Sequence, residues 1–129
     1  MSINRLLLID DDPDIGEFVR KVAEGAGYDV ISTSDPATFK TSLDSFAPTV
    51  IMLDLAMPSM DGVELIRFLA ERKCPARILI ISGFDSKMLD AAHRLGDAHG
   101  LPMAGVVQKP VRVAELRQLL AGLSVDTAS

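Results

Sequence analysis

The sequence predicts an α/β fold in which five parallel strands alternate with five helices, a (βα)5 arrangement. Five apolar or β-branched runs begin at Leu6, Tyr28, Val50, Ile78 and Gly105, at intervals of 22, 22, 28 and 27 residues. Each interval has room for a strand, two turns and a helix. The runs lack polar alternation, which is typical of strands covered on both faces in a parallel sheet.

Helical spacing fills the segments between these runs. Apolar residues recur there at i, i+3, i+4 and i+7, the pattern of a helix with one buried face. The five stripes are Ile15–Val22, Pro36–Phe46, Val63–Ala70, Met88–Leu95 and Val113–Leu123. Asp12-Pro13 and Asp35-Pro36 each predict a helix start, with a carboxylate at the N-cap and proline at the first helical position.

The predicted topology is a doubly wound, flavodoxin-like sheet. Right-handed crossovers place helices on both faces, and five strands of this size favour the order 2-1-3-4-5. We assign residues 1–124 to this domain and residues 125–129 to a C-terminal tail. Ligands of such sheets bind beyond the carboxyl ends of the strands, so we looked for functional residues there.

The composition of the chain limits the classes of protein to which it can belong. The chain has 129 residues, 48% of them hydrophobic, with a formal net charge of −5 and a single cysteine. An intramolecular disulfide is therefore impossible, and we expect a soluble, cytoplasmic protein, because no apolar run is long enough for a signal peptide or a membrane span. The acidic balance and the absence of tryptophan disfavour nucleic-acid binding.

Polar residues end four of the five predicted strands. Asp10-Asp11 follows strand one, Asp54 ends strand three, Ser82 ends strand four, and strand five runs into Lys109-Pro110. Taken singly, these residues could be helix caps or turn residues. Together, three carboxylates on neighbouring strands repel one another unless a cation shares the site, and carboxylates without histidine or cysteine suit Mg²⁺. A lysine and a hydroxyl beside them would complete a receptor for a phosphoryl group.

These residues resemble the receiver domain of two-component response regulators over nearly the whole chain. The resemblance is carried, in order and at compatible spacing, by the segments Leu8–Pro13, Leu53–Gly62, Ile81–Gly83 and Lys109-Pro110. A receiver is a phosphoprotein that takes part in phosphorelay signal transduction. The resemblance therefore implies a response regulator of the stand-alone, single-domain type.

The resemblance implies a role for each strand-end residue. Asp54 would be the phosphoacceptor that becomes an aspartyl phosphate. Asp11 and Asp54 would bind Mg²⁺ directly, Asp10 would do so largely through water, and the backbone carbonyl of Ala56 would be a further protein ligand. By the same resemblance, Lys109 and the Ser82 hydroxyl would each contact a phosphoryl oxygen, with Gly83 leaving space beside them. The Lys109-Pro110 peptide bond is expected to be cis.

Expected partners also follow from the resemblance. A sensor histidine kinase or a histidine phosphotransfer protein would donate the phosphoryl group, and an unknown target would read the surface of helix four, strand five and helix five. The same surface could form a homodimer, which charge and pattern alone do not decide. Val106 stands where relatives usually carry an aromatic switch residue, and Phe84 and Pro110 are candidate partner contacts.

Three alternative functions fit the same residues less well. Val106 favours a docking module that does not use phosphorylation, whereas retention of the acidic pair, the acceptor and the lysine argues against it. A phosphoester hydrolase with an aspartyl nucleophile would need a carboxylate two residues after Asp54, where Ala56 stands, and a flavodoxin would need a phosphate-binding first loop. The chain could also be a fragment of a longer regulator with an output domain. We expect no enzyme activity beyond self-phosphorylation and autodephosphorylation.

Overall fold

The computed structural model describes residues 4–55, 62–83 and 86–124, and within these ranges five strands alternate with five helices. The strands are β1 Arg5–Ile9, β2 Asp29–Thr33, β3 Val50–Asp54, β4 Arg77–Ser82 and β5 Met103–Gln108. The helices are α1 Pro13–Gly25, α2 Pro36–Phe46, α3 Gly62–Glu71, α4 Ser86–Ala98 and α5 Val113–Leu123. In the described part of the chain, no helix is both long and apolar enough to cross a membrane.

All five strands form one parallel sheet of order β2-β1-β3-β4-β5, which confirms the predicted fold. β1 lies between β2 and β3, so the chain reverses its direction of winding beside the carboxyl end of β1. The register aligns Ile9 with Leu53. The residues that follow β1 and end β3 are thereby neighbours at one edge of the sheet.

The core has two layers because alternate residues of each strand face opposite sides of the sheet. On one side, Leu7, Ile51 and Ile78 pack with buried residues of α2 and α3 and with partly buried residues of α4. On the other, Leu6 and Met52 pack with buried residues of α1 and α5. Nearly continuous apolar strands are thus required on both faces, as the sequence indicates.

Both predicted N-caps are confirmed. The Asp12 side chain accepts a hydrogen bond from the backbone N–H of Asp14, and the Asp35 side chain accepts one from Thr38, in each case with proline beginning the helix. Hydrogen bonding to the Thr38 amide lowers the pKa of Asp35. These caps fix where α1 and α2 begin, and α1 begins directly after the strand-end aspartates.

Two local predictions were wrong. β5 begins at Met103, two residues before the predicted start, because the strand continues through a bulge: Ile78 pairs with Met103 but Leu79 pairs with Gly105. Gly105 has a φ of +156° there. Val113 does not continue the buried stripe of α5, since it is 43% exposed at the first position of that helix.

Packing of α4 on β5 predicts the effect of a substitution at Gly96. A Cβ on Gly96 would overlap the Met103 side chain, whereas a Cβ on Gly122 of α5 would meet nothing within 4 Å. We expect Gly96→Val to lower the free energy of unfolding by about 1–3 kcal/mol relative to the matched control Gly122→Val. Chemical denaturation measures the free energy of unfolding of both variants. Adding Met103→Ala to Gly96→Val is expected to recover part of the lost stability. Equal stability of the two valine variants would contradict this account of the α4–β5 contact.

Candidate functional site

Two buried carboxylates lie side by side at the carboxyl edge of the sheet. Asp10 follows β1 and is 2% exposed, and Asp54 ends β3 and is 1% exposed. The backbone N–H of Asp10 donates to the Thr33 carbonyl at 3.1 Å, which continues the sheet ladder past Ile9. The sheet therefore holds both aspartates in position through main-chain pairing.

Asp11 completes a cluster of three carboxylates. It is exposed, and one carboxylate oxygen from each of Asp10, Asp11 and Asp54 lies within 4.8 Å of the other two. Anionic groups at this separation repel one another strongly when two of them are shielded from water. The cluster therefore needs positive charge close by.

Lys109 supplies positive charge to the two buried members. Its Nζ lies 3.0 Å from Asp10 Oδ2 and 3.6 Å from Asp54 Oδ2, and its side chain is 23% exposed. It comes directly after Gln108, the last residue of β5, which pairs with Ser82 of β4. The lysine thus reaches the two aspartates across the end of β4.

The protonation of Lys109 is set by opposing effects. Burial favours the neutral amine and is the largest single influence, but the hydrogen bond and charge of Asp10, together with the charge of Asp54, outweigh it and raise the pKa of Lys109. The ammonium is therefore charged at neutral pH. Its contribution to stability is fully present below the unfolded-state pKa and is lost only as the pH rises through the higher folded-state value.

The two carboxylate oxygens of Asp10 differ in their surroundings. Oδ1 accepts a hydrogen bond of 2.9 Å from the backbone N–H of Asp12, which fixes the side chain. Oδ2 is buried, and the Lys109 ammonium at 3.0 Å is the one polar group that the described residues place beside it. A buried oxygen with unused acceptor capacity, next to an exposed carboxylate and a second buried one, is a chemical fit for a hard divalent cation.

Thr33 supports the site and was missed by sequence reasoning. Its hydroxyl donates to the Leu8 carbonyl at 2.7 Å, and its own carbonyl accepts the Asp10 N–H. The side chain is 5% exposed, so β2 and β1 are locked together immediately before the aspartates. The signal that the sequence offered was a threonine at the end of the predicted edge strand.

The other predicted site residues have varied outcomes. The Ser82 backbone ends β4, where Gln108 is its pairing partner, while its side chain lies outside the described structure. Gly83 and Pro110 are exposed, and the Lys109-Pro110 peptide bond is cis, as the resemblance implied. Ala56 and Phe84 lie outside the described residues.

Val106 lies away from the carboxylates, on the edge strand β5. It is partly buried and lines a groove of about 400 Å³ between α4 and β5, together with Gly105 and with Asp90, His93 and Arg94 of α4. A valine leaves this groove open where a larger side chain would enter it.

Comparison with known proteins identifies the family. The family model of the response regulator receiver domain matches residues 6–121. The chain belongs to the response regulator receiver family. Receivers are signalling modules of two-component systems that bind Mg²⁺ at an acidic pocket and interact with histidine kinases or phosphotransfer proteins. In this chain, Asp10, Asp11 and Asp54 form an acidic cluster of the kind that could hold a metal ion.

Individual relatives agree with this assignment. The response regulator receiver protein CpdR of Brucella abortus is 32% identical over 114 residues, which are 88% of this chain and 91% of CpdR. A crystal structure of a response regulator from Colwellia psychrerythraea is 37% identical, with a TM-score of 0.82 over 95% of this chain and 97% of that one.

Other relatives are longer than the matched region. The positive alginate biosynthesis regulatory protein of Pseudomonas aeruginosa is 30% identical over 118 residues, and the match spans 45% of its length. The match to the C4-dicarboxylate transport regulator DctD of the same organism spans 26% of that protein. The receiver is thus the part that this chain shares with them.

Removal of the lysine charge is expected to destabilise this receiver. Lys109→Met leaves Asp10 and Asp54 buried without a neighbouring cation, and we expect the free energy of unfolding at pH 7 without Mg²⁺ to fall by about 1–3 kcal/mol. This loss of stability should be smaller at low pH, where protonated carboxyl groups need no counter-charge. Lys21→Met is the matched control, because Lys21 pairs with Glu17 at 3.9 Å on the exposed surface. Equal unfolding curves for the two variants would contradict the role given to Lys109.

Proposed function

We propose that this chain accepts a phosphoryl group from a histidine kinase or a histidine phosphotransfer protein on Asp54 and signals by phosphorylation-dependent protein–protein binding. The observation that carries the proposal is the position of Lys109, whose ammonium lies between two buried carboxylates at 3.0 and 3.6 Å. An ammonium group between two carboxylates can shift its contact to a phosphoryl oxygen when a phosphoryl group binds to Asp54. A purely structural ion pair would need one carboxylate, not two with a third beside them.

The proposed transfer is a displacement at phosphorus. A carboxylate oxygen of Asp54 attacks the phosphorus of the donor phosphohistidine, a P–O bond forms, and the P–N bond breaks with its electron pair passing to the imidazole. The protein contributes position and charge, because a loose transition state leaves little covalent chemistry to assist. Lys109 neutralises negative charge on a phosphoryl oxygen in the transition state.

Mg²⁺ completes the charge balance in this proposal. Asp11 and Asp54 would bind the ion directly, Asp10 largely through water, and the Ala56 carbonyl would add a protein ligand. The buried Oδ2 of Asp10, which keeps acceptor capacity beside Lys109, and the exposed position of Asp11 support this ligand set. When bound, the ion neutralises phosphoryl oxygens and shields the three carboxylates from one another.

We propose that residues at the strand ends beside Asp54 respond to its phosphorylation. The Ser82 hydroxyl would contact the phosphoryl group, with Gly83 leaving room for it, and Val106 would take the place of an aromatic switch residue. Phe84 and Pro110 would contact partners. The exposure of Gly83 and Pro110 supports this assignment.

Loss of the phosphoryl group would occur by hydrolysis of the acyl phosphate in the same site. We propose no turnover of an external substrate and expect the protein to act in the cytoplasm. Its downstream target would be a protein that distinguishes the two states of the receiver.

Intact-protein mass spectrometry tests this function with acetyl phosphate as the donor. We expect a gain of one phosphoryl group that requires Mg²⁺ and is absent in Asp54→Asn. Asp29→Asn is the matched control, because Asp29 is an exposed aspartate at the start of β2, at the opposite edge of the sheet. This variant should be labelled like the unmodified protein.

Two results would contradict the proposal. Undiminished labelling of Asp54→Asn would place the phosphoryl group elsewhere. Absence of labelling with both acetyl phosphate and a histidine kinase, in a protein that still unfolds cooperatively, would favour a docking module that does not use phosphorylation.

A further inference from the structure

A cavity of about 460 Å³ lies at the amino edge of the sheet, between the C-terminal ends of α2 and α3. We call it the amino-edge cavity. It is at the opposite edge from the acidic cluster, because Thr49, which lines it, precedes β3, whereas Asp54 ends that strand. Its volume is within the range of sites that bind small molecules.

The wall of the amino-edge cavity is mostly apolar. It is formed by Leu43, Ala47, Pro48, Cys74 and Pro75. Burial raises the pKa of the Cys74 thiol, so this side chain is neutral and packs like a small apolar group. Such a wall fits the apolar body of a ligand, for example a ring.

The two helix ends beside the cavity have little negative charge left to repel an anion. Each helix is followed by a residue in the left-handed conformation, Ala47 with a φ of +51° and Lys73 with a φ of +52°. The N–H of each donates to a carbonyl of the preceding helical turn. Arg5 also donates to the carbonyl of Phe46, the last residue of α2. The charges of Arg5 and Lys73 thus offset the partial negative charge of both helix ends.

Arg72 places a cation at the opening of the cavity. Its Nη1 donates to the carboxylate of Asp44, and its Cζ lies 4.7 Å from the centroid of the Phe68 ring. These contacts hold a guanidinium whose side chain is still 43% exposed. Asp44 is the one acidic side chain among the described residues that line the cavity. Because a guanidinium has five N–H donors in a planar fork, Arg72 retains donors for a second carboxylate.

We propose that the amino-edge cavity binds a small organic anion that joins an apolar ring to one carboxylate group. The ring packs against the apolar wall, and the carboxylate accepts hydrogen bonds from the Arg72 guanidinium. A cationic ligand is disfavoured, since it would meet the charges of Arg72 and Lys73. Binding requires neither Mg²⁺ nor phosphorylation and does not depend on the function proposed for Asp54.

The expected affinity is low because the ligand is small and the opening is in contact with water. We expect a Kd of roughly 0.1 to 3 mM for a ligand with a single ring. Replacing its carboxylate by a neutral amide removes the charge-assisted hydrogen bonds. The amide is therefore expected to bind at least about fivefold more weakly.

NMR titration of the unphosphorylated protein with 3-phenylpropionate, without Mg²⁺, tests the proposal. In ¹H–¹⁵N spectra, we expect the largest shifts at the backbone amides of Leu43, Thr49 and Cys74, which line the cavity. The neutral analogue 3-phenylpropionamide should cause the same shifts only at concentrations at least about fivefold higher.

Two arginine variants separate the role of Arg72 from a change in net charge. Arg72→Gln should weaken binding of 3-phenylpropionate at least about fivefold, because the guanidinium is lost. Arg67→Gln is the matched control, since Arg67 is an exposed arginine of the same helix that is not among the lining residues. It should bind the probe like the unmodified protein. Thermal unfolding checks that both variants are folded.

The Cys74 thiol gives an independent readout of occupancy. It is the single cysteine of the chain and lines the cavity, so every thiol modification reports on this place. Intact-protein mass spectrometry follows its reaction with methyl methanethiosulfonate. We expect saturating 3-phenylpropionate to slow the reaction at least about threefold, and we expect this protection to be lost in Arg72→Gln.

Four results would overturn the proposal. They are the absence of shifts at about 10 mM 3-phenylpropionate, shifts confined to the acidic cluster or to the groove between α4 and β5, equal affinity for the acid and its amide, and equal binding by Arg72→Gln and Arg67→Gln.

Discussion

The charge balance between Lys109 and two buried aspartates is the constraint on which the rest of the site depends. Asp10 and Asp54 are both almost fully buried, and one ammonium lies within 3.6 Å of each. Two shielded carboxylates this close are costly without a cation, and a third, Asp11, adds to the repulsion. The site is therefore sensitive to any added charge, whether from a divalent ion or from a phosphoryl group.

The fold itself brings Lys109 and the two buried aspartates together. Parallel strands bring all their carboxyl ends to one edge, and apolar residues on both faces of the sheet fix the position of every strand. β1 and β3 are neighbours, which places Asp10 beside Asp54, and Thr33 ties β2 to β1 just before them. Lys109 enters from β5, two strands away from β3. Asp54 is therefore held in position by strands that are packed on both faces.

Much of this could be predicted from the sequence because the signals were strong and local. Apolar runs and helical stripes predicted the fold, and polar residues at the strand ends predicted the acidic cluster. Weaker signals failed where packing decides the outcome: Gly105 obscured the start of β5 because a bulge carries the strand past it, and Val113 faces solvent although it fits the stripe of α5.

The location of the phosphoryl group is the most direct test of the central claim. Borohydride reduction converts an aspartyl phosphate to homoserine, so peptide mapping of the reduced, phosphorylated protein identifies the residue that carried it. We predict homoserine at position 54, formed only when Mg²⁺ was present during phosphorylation. Homoserine at position 10 or 11 would contradict it, because the acceptor would then be a residue that we assign to the metal.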